Sequence, residues 1–155
     1  GKIRVYGVAT WSGLRVSGDD RGHLSLQALV RCAEEVAGTR HRFKAIQLPC
    51  NRAMAQAWTL PNQTVSGGSM TVLQAAEELG LVAFGSGSLL QGKLLGGSTS
   101  DVIEALQFAR SVPGVASALV GMSRVEHVRA NIAALRQPKW SGDRLTSALV
   151  TPRAG

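Results

Sequence analysis

The hydrophobic positions of the chain switch between a spacing typical of strands and a spacing typical of helices. Residues 3–9 and 43–48 are short runs rich in β-branched and aromatic side chains, which predicts two strands. After each run, apolar residues recur three and four positions apart, over residues 26–37 and 72–79, and a glycine follows each of these stretches. The first half of the chain is therefore predicted as strand, helix, strand, helix.

The second half repeats the pattern. Residues 81–84 predict a third strand, and apolar residues over 102–109 predict another helix that ends near Pro113. A short apolar run, 118–120, is stopped by Gly121, and helical spacing resumes over residues 125–135. The predicted strands start near residues 3, 43, 81 and 116, so the chain consists of four consecutive strand–helix units.

Alternating strands and helices predict a parallel sheet. Four such units make half of a TIM-type barrel, and the fold class is therefore α/β. Binding groups gather at the carboxyl ends of parallel strands, where Thr10, Gln47, Ser86 and Gly121 all lie. A small open doubly wound sheet is the alternative. It is less favoured because the glycine-rich loop 85–92 is not GxGxxG and does not follow the first strand.

A long connection separates the second strand from the second helix. Residues 50–68 contain proline, asparagine and paired glycines, and the stretch exceeds most loops in α/β units, so it is either functional or mobile. Ser69 is the predicted cap of the helix that follows. Trp58, and Trp140 near the C-terminus, are candidate pocket walls, with simple packing onto the helices as the competing interpretation.

The last helix has a start signal that also suits an anion. Ser123 stands three residues before Glu126, the spacing of a capping box. A helix N-terminus opened by Gly121 and flanked by Arg124 offers backbone N–H groups and positive charge to a phosphate. An ordinary capped helix is the competing interpretation, because nearly every helix needs a cap.

Composition places the chain among single globular domains. It has 155 residues, of which 45% are hydrophobic and 17% charged. No apolar run approaches the roughly 18 residues of a membrane span, and the N-terminus lacks the apolar segment of a signal peptide. These features predict a soluble cytoplasmic protein.

The formal charge of +7 allows a nucleic acid, an anionic cofactor or no specific partner. The basic residues are scattered singly, and the densest group, residues 40–44, lacks the interleaved aromatics of a single-strand binding platform. A solvated face is therefore favoured over nucleic-acid binding. Cys32 and Cys50 form no CxxC pair and no cluster at metal-ligand spacing, which predicts free thiols and no metal.

Four segments resemble motifs of the aldo-keto reductases, in the order and spacing of that family's C-terminal half. Residues 1–8 resemble the GKIRxxGVS segment, and residues 45–51 resemble the xxQxxYN strand. Residues 89–94 resemble the LxQGxL turn, and residues 121–131 match GxS-x7-N. The resemblance covers nearly the whole chain. It implies a half-barrel over residues 1–139, holding the family's strands five to eight, and a C-terminal tail over 140–155.

The resemblance also implies a nicotinamide dinucleotide site. The family's fifth strand ends in a Ser-Asn pair that contacts the nicotinamide carboxamide; Ala9 and Thr10 stand there, so Thr10 keeps one contact. Gln47 matches the family's carboxamide-binding glutamine. Ser86 stands where the family has a tyrosine that stacks on the nicotinamide. Phe84, two residues earlier, points to the same side of the strand and is either a substitute ring or part of the core.

The same resemblance assigns further cofactor contacts to the two later turns and the last helix: Leu89, Gly92, Gly121, Ser123 and Asn131. The last three match residues that hold the adenosine phosphates and adenine. Arg124 follows Ser123 directly, where a guanidinium can pair with a 2′-phosphate, so NADP is favoured over NAD.

The family's catalytic Asp, Tyr, Lys and His come from its first four strands, which have no counterpart here. The single tyrosine, Tyr6, lies in a strand of the wrong segment. Hydride transfer to a carbonyl needs a positioned proton donor, so no catalytic residue is assigned. The prediction is the NADP-binding half of an oxidoreductase, inactive alone; the alternative is a stand-alone half-barrel that binds or assembles without redox chemistry.

A half-barrel also predicts association. Its two outer strands, near residues 3–9 and 116–120, would have unpaired backbone groups, and one sheet face would lack a covering layer. The expected partner is either a second copy, which would complete eight strands, or an N-terminal half supplied by another chain.

Overall fold

The computed structural model describes residues 2–90 and 99–149. Within these residues strands and helices alternate through most of the chain, and a single 3-10 turn, Gly38–Arg40, follows the first helix. In chain order the elements are β1 (Tyr6–Ala9), α1 (Leu26–Ala37), β2 (Phe43–Pro49), α2 (Gln56–Thr59), β3 (Gln63–Val65), β4 (Gly68–Met70), α3 (Val72–Glu78), β5 (Val82–Ser86), α4 (Thr99–Ser111), β6 (Val115–Ala118), α5 (Val125–Leu135) and α6 (Gly142–Ser147).

The main sheet has four parallel strands in the order β1, β2, β5, β6, which confirms the predicted parallel α/β architecture. Neighbours in the sheet are therefore successive βα units, as in one arc of a βα barrel. The strand bounds differ slightly from the prediction. β5 continues to Ser86, and β6 runs from Val115 to Ala118, so Leu119 and Val120 lie beyond it.

The two faces of the sheet differ in burial. Ile46, Leu48 and Ala83 are buried at 0 to 2% exposure, because their side chains point towards the helices. The alternate residues Gln47 and Phe84 point to the opposite face and are only half-buried. The core therefore lies between one face of the sheet and the helices, and the other face remains partly open.

The connection after β2, predicted as a long loop that is either functional or mobile, contains secondary structure. It contains α2 and an antiparallel hairpin of β3 and β4. Ser66 and Gly67 form the turn of this hairpin with φ values of 51° and 83°, the left-handed pair that a two-residue turn requires. Ser69 lies inside β4, so the prediction that it caps α3 is wrong.

The cap of α3 is Thr71. Its hydroxyl accepts a hydrogen bond from the backbone N–H of Gln74, and Gln74 Oε1 in turn accepts from the backbone N–H of Thr71 at 2.9 Å. Both bonds of a capping box are thus present, two residues later than predicted.

The predicted capping box of the last helix is also wrong. Arg124, not Ser123, occupies the N-cap of α5, with extended backbone (φ −135°, ψ 151°), and its side chain makes no capping hydrogen bond. Ser123 lies one residue before the cap, so the three-residue spacing to Glu126 is out of register with the helix.

The last described helix packs onto the rest of the chain. Leu145 of α6 is 1% exposed and belongs to the core, and Arg52 Nε donates to the carbonyl oxygen of Ala148 at 2.9 Å. In the ranges 2–90 and 99–149, no helix has the length and apolar character needed to cross a membrane.

Candidate functional site

Three strands bring Ala9, Gln47 and Phe84 into one lateral row. Ala9 is paired with Gln47 across β1 and β2, and Gln47 is paired with Phe84 across β2 and β5. Residues paired across a sheet point to the same face, so Gln47 and Phe84 lie side by side. The backbone N–H of Thr10 donates to the carbonyl oxygen of Gln47 at 3.0 Å, so Thr10 directly follows this row, one residue beyond the end of β1.

A hollow of about 260 Å³ lies against this row. Residues of β1, β2 and β5 line it: Gly7, Val8, Ala9, Ala45, Ile46, Gln47 and Phe84. Over the part of the chain that the structure describes, the side-chain amide of Gln47 has no hydrogen-bond partner. A half-buried amide beside a hollow can both donate to and accept from a ligand amide, as a carboxamide contact requires.

Thr10 is half-buried, and its Oγ1 accepts a hydrogen bond from the backbone N–H of Gly13 at 3.0 Å. This bond holds the turn after β1 and leaves the hydroxyl proton available to an acceptor. Ala9 has no polar side chain and therefore makes no equivalent contact. Of these two residues, only Thr10 can offer a side-chain hydrogen bond at this strand end.

The loop after β5 is fixed to its neighbours by hydrogen bonds. Ser88 Oγ donates to the carbonyl oxygen of Leu119 at 3.0 Å, and Asn51 Nδ2 donates to that of Gly87 at 2.9 Å. Ser86, at the end of β5, is half-buried on the same face as Phe84, two residues before it. Leu89 is half-buried. Gly92 lies outside the described residues.

Asn51 has a role that the sequence reasoning missed. Its side chain is fully buried, and Oδ1 accepts from the backbone N–H groups of Ala53 and Met54 at 3.0 and 2.9 Å. Together with the bond to Gly87, it connects the loops that follow β2 and β5. The available signal was a polar residue two positions after the end of a buried strand, at the last position of the 45–51 segment.

The turn between β6 and α5 is exposed. Gly121, Ser123 and Arg124 all face solvent, whereas Asn131, farther along α5, is 8% exposed. Its Nδ2 is buried and finds no partner among residues 2–90 and 99–149. An unpaired buried donor is costly unless a ligand or water satisfies it, so the Asn131 amide is a group that needs an acceptor from outside the described residues.

The thiol nearest the site is chemically quiet. Cys50, at the end of β2, is buried, and this burial raises its pKa to about 12, although the Arg15 guanidinium acts in the opposite direction. Arg15 itself donates from Nε and Nη2 to Gln56 Oε1 at 3.1 and 3.0 Å, connecting the turn after β1 to α2. A neutral buried thiol is a packing group and a poor nucleophile.

The other aromatic residues considered, Tyr6, Trp58 and Trp140, do not line the hollow beside Gln47. Tyr6 is at the amino end of β1, with its ring centroid 5.8 Å from that of Phe43. Trp58 lines a small hollow of about 140 Å³ with residues of α3 and the α4–β6 turn. Trp140 packs on the core, and the Arg144 guanidinium lies 4.2 Å from its ring centroid. In the described ranges no three His, Cys, Asp or Glu side chains cluster as metal ligands would.

No family model and no curated protein matches the sequence. Solved structures of aldo-keto reductases are similar in fold. A thermostable aldo-keto reductase, solved with the inhibitor epalrestat, has a TM-score of 0.53 at 17% identity over 80% of this chain. The holo form of an aldo-keto reductase from Bacillus halodurans has a TM-score of 0.57 at 13% identity over 96% of this chain. The apo form of the latter has a TM-score of 0.51 at 12% identity.

At these identities the similarity shows the fold alone. The chain spans 45% of the thermostable reductase and 51% of the Bacillus halodurans holo structure, or about half of each. Its four parallel strands thus have the arrangement found in part of an aldo-keto reductase.

Proposed function

We propose that the chain is the C-terminal, NADP-binding half of an aldo-keto-reductase-like oxidoreductase, and that it is inactive alone. The observation that carries this proposal is the pairing of Gln47 with Phe84 beside the hollow, where the Gln47 amide has no partner among the described residues. A free amide and an aromatic ring on one face of two adjacent parallel strands, with the Thr10 hydroxyl just beyond the neighbouring strand, suit a planar carboxamide-bearing ring.

The residues of this chain would hold the cofactor at two ends. Gln47 and Thr10 would bind the nicotinamide carboxamide, with Phe84 or Ser86 against the ring. Gly121 and Ser123 would contact the phosphates, and the exposed Arg124 would pair with the 2′-phosphate that distinguishes NADP from NAD. Asn131 would meet the adenine, and Leu89 and Gly92 would border the site. The bound cofactor would supply the hydride.

We assign no proton donor to this half. Carbonyl reduction needs an acid next to the hydride acceptor. Tyr6 is at the amino end of β1, the opposite end of the strand from Ala9 and the row, and its ring contacts Phe43. We therefore assign binding and orientation of the cofactor to this chain, and proton transfer to residues of a missing N-terminal half.

The proposal extends to the partners. A second copy or an N-terminal half would complete the barrel, because β1 and β6 are the outer strands of the sheet. We propose a cytoplasmic protein whose small-molecule partner is a nicotinamide dinucleotide. Nucleic acid is not a proposed partner, since basic residues are scattered along the sequence.

Fluorescence titration with NADPH and NADH tests the cofactor assignment. We expect weak binding, tighter for NADPH, with the preference lost in Arg124→Ala and overall binding reduced in Gln47→Ala. His127→Ala is the matched control, because His127 is also exposed on the first turn of α5 and has no assigned contact. Unchanged NADPH binding in Gln47→Ala would refute the row as a cofactor site.

An activity assay tests the proposal that the chain is inactive alone. The isolated chain should show no NADPH-dependent reduction of simple aldehydes. Turnover clearly above that of Gln47→Ala would contradict the proposal and require a proton donor within this chain.

The exposed apolar residues favour one alternative, a stand-alone half-barrel that assembles without redox chemistry. Ile3, Val5 and Tyr6, at or before β1, are 72%, 55% and 50% exposed. Burial of such apolar surface favours association by a free energy of about 25 cal/mol for each Å² that is buried. Association without any binding of NADPH would support this alternative.

A further inference from the structure

An apolar groove of about 450 Å³ separates the free edge of β6 from α5. All four residues of the strand, Val115 to Ala118, line it. The other lining residues come from α4, α5 and the segments after β6 and α5, and β5, which pairs with the opposite edge of β6, contributes none. β6 is the last strand of the sheet, and the backbone groups on this side therefore face the groove.

The opposite wall is the apolar side of α5. Val128, Ile132 and Leu135 line the groove and are 38%, 46% and 61% exposed. The helix is held at this position by α4, where Gln107 Nε2 donates to the carbonyl oxygen of Ala134 at 3.1 Å. A strand edge facing an apolar helix across a groove provides both main-chain hydrogen bonds and pockets for alternate side chains, which is the requirement for strand addition.

The charge in the groove lies at its amino end, measured along β6. Arg110, in the last turn of α4, precedes β6 by a short turn, and its Nη1 donates to Gln107 Oε1 at 2.7 Å and to the carbonyl oxygen of Gln137 at 3.1 Å. Lys139 lines the same groove and is exposed. Two cations at one end of an apolar groove favour carboxylates at that end of the occupant.

We propose that this groove binds one parallel β-strand of a partner polypeptide, with alternating apolar side chains and with carboxylates at its amino end. The inference rests on the proposed half-barrel and specifies the strand that would follow β6 in a closed sheet. Strand addition would satisfy the β6 edge, and the outward side chains of the added strand would cover the apolar residues of α5.

A second copy of this chain suits the groove less well. Its free strand is β1, and Lys2 and Arg4 precede that strand. Parallel pairing would bring these cations to the end of the groove that holds Arg110 and Lys139, between two molecules of formal charge +7. Like charges placed together oppose pairing, so the charge pattern favours an acidic partner strand.

Fluorescence anisotropy with two labelled peptides of about ten residues tests the proposal. One peptide carries two glutamates followed by alternating isoleucine and threonine, and the other carries two lysines before the same strand. The glutamate peptide should bind at least about tenfold more tightly at low salt. This preference should shrink at about 1 M salt, where screening acts within roughly 3 Å. Equal affinity for the two peptides would overturn the proposal.

Ile132→Glu should abolish binding of the glutamate peptide, because it places a charge on the apolar wall. Val36→Glu is the control, since Val36 is 88% exposed on α1 and lies outside the groove. Binding that survives in Ile132→Glu would refute the groove as the site. Self-association in sedimentation that is lost in Ile132→Glu would identify a second copy as the occupant and refute the acidic partner.

Asn131, assigned above to the adenine, also lines the groove, so cofactor binding is measured in the absence of peptide, and peptide binding in the absence of cofactor. Gln47→Ala should retain peptide binding, because Gln47 is on β2 and does not line the groove. Failure of the peptide experiment with intact NADPH binding would overturn strand addition alone. Failure of NADPH binding with intact peptide binding would overturn only the cofactor assignment.

Discussion

Gln63 Oε1 accepts a hydrogen bond from the backbone N–H of Leu26 at 2.8 Å, across 37 positions of sequence. Leu26 is the first residue of α1, so its N–H is one of the donors that a helix cannot satisfy internally. Gln63 is 1% exposed, and its Nε2 donates to the carbonyl oxygen of Leu24 at 3.1 Å. The β3–β4 hairpin thus fixes the start of α1, which explains why the connection after β2 is ordered.

Gln63→Ala should lower the free energy of unfolding by about 1–3 kcal/mol, because it leaves buried backbone groups at Leu24 and Leu26 unsatisfied. Chemical denaturation measures this loss. The neighbouring Thr64 is exposed on the same strand, so Thr64→Ala should change stability by less than about 0.5 kcal/mol. Equal losses for the two variants would show that the hydrogen bonds of Gln63 are not what stabilises the hairpin.

Gly7→Ala should prevent normal pairing of β1 with β2. A Cβ at this position would overlap the carbonyl oxygen of Ala45, which belongs to the backbone and cannot swing away. We expect a loss of at least about 3 kcal/mol or failure to fold, measured by thermal unfolding. Gly121→Ala is the matched control, because a Cβ there meets nothing within 4 Å. A stable Gly7→Ala variant would contradict the close approach of the two strands.

Thr71→Ala should cost about 1 kcal/mol, because it removes the capping box of α3. Ser123→Ala should leave stability unchanged, since Ser123 lies outside α5 and is exposed. Urea unfolding of the two variants compares these effects directly. A loss for Ser123→Ala as large as that for Thr71→Ala would show that the hydroxyl of Ser123 caps the helix after all. If stability is unchanged, Ser123→Ala becomes a clean test of phosphate binding.

The two cysteines should react very differently with an alkylating reagent. Cys32 is exposed, whereas Cys50 is buried with its pKa raised to about 12. At pH 8 the native protein should therefore take up one equivalent quickly, and the second only after unfolding. Mass spectrometry of the labelled protein identifies the site. Rapid labelling of Cys50 in the native protein would mean that the segments that bury Cys50 open readily.

The raised pKa of Cys50 also predicts an alkaline loss of stability. Below pH about 8.5 the thiol is neutral in both states, so it contributes no pH dependence. Above that value the unfolded thiol ionises while the folded one stays protonated until about pH 12. Relative to Cys50→Ala, the stability should fall by about 1.4 kcal/mol per pH unit in this window. A pH dependence identical in the two proteins would contradict the buried neutral thiol.

The row of Ala9, Gln47 and Phe84 could be predicted in part from the sequence. Gln47 was identified from a strand motif, and the parallel sheet that aligns it with Ala9 and Phe84 follows from strand–helix alternation. The sequence could not show which aromatic side chain lies on the same face as Gln47. That depends on the register of the strands, because a shift of one residue moves every side chain of a strand to the other face. The register Gln47 to Phe84 settled that point.

Helix starts were less predictable. Thr71, Ser69 and Ser123 all precede apolar helical stretches and all can cap a helix, so residue type does not distinguish them. Their positions relative to the first helical turn depend on how the preceding strand and turn bring the chain into the helix. In the structure the N-cap of α3 is Thr71. The N-cap of α5 is Arg124, whose side chain makes no capping hydrogen bond.

The sequence by itself determined the strand–helix alternation, the parallel sheet and the burial of its helix-facing side, because these follow from the period of apolar residues over short stretches. Tertiary structure alone decided the contacts between distant segments. The bond from Gln63 to α1 and the groove between β6 and α5 depend on which elements meet in space. The local periodicity of apolar residues carries no information about contacts between distant segments, since a hydrogen bond across 37 positions depends on the packing of the whole chain.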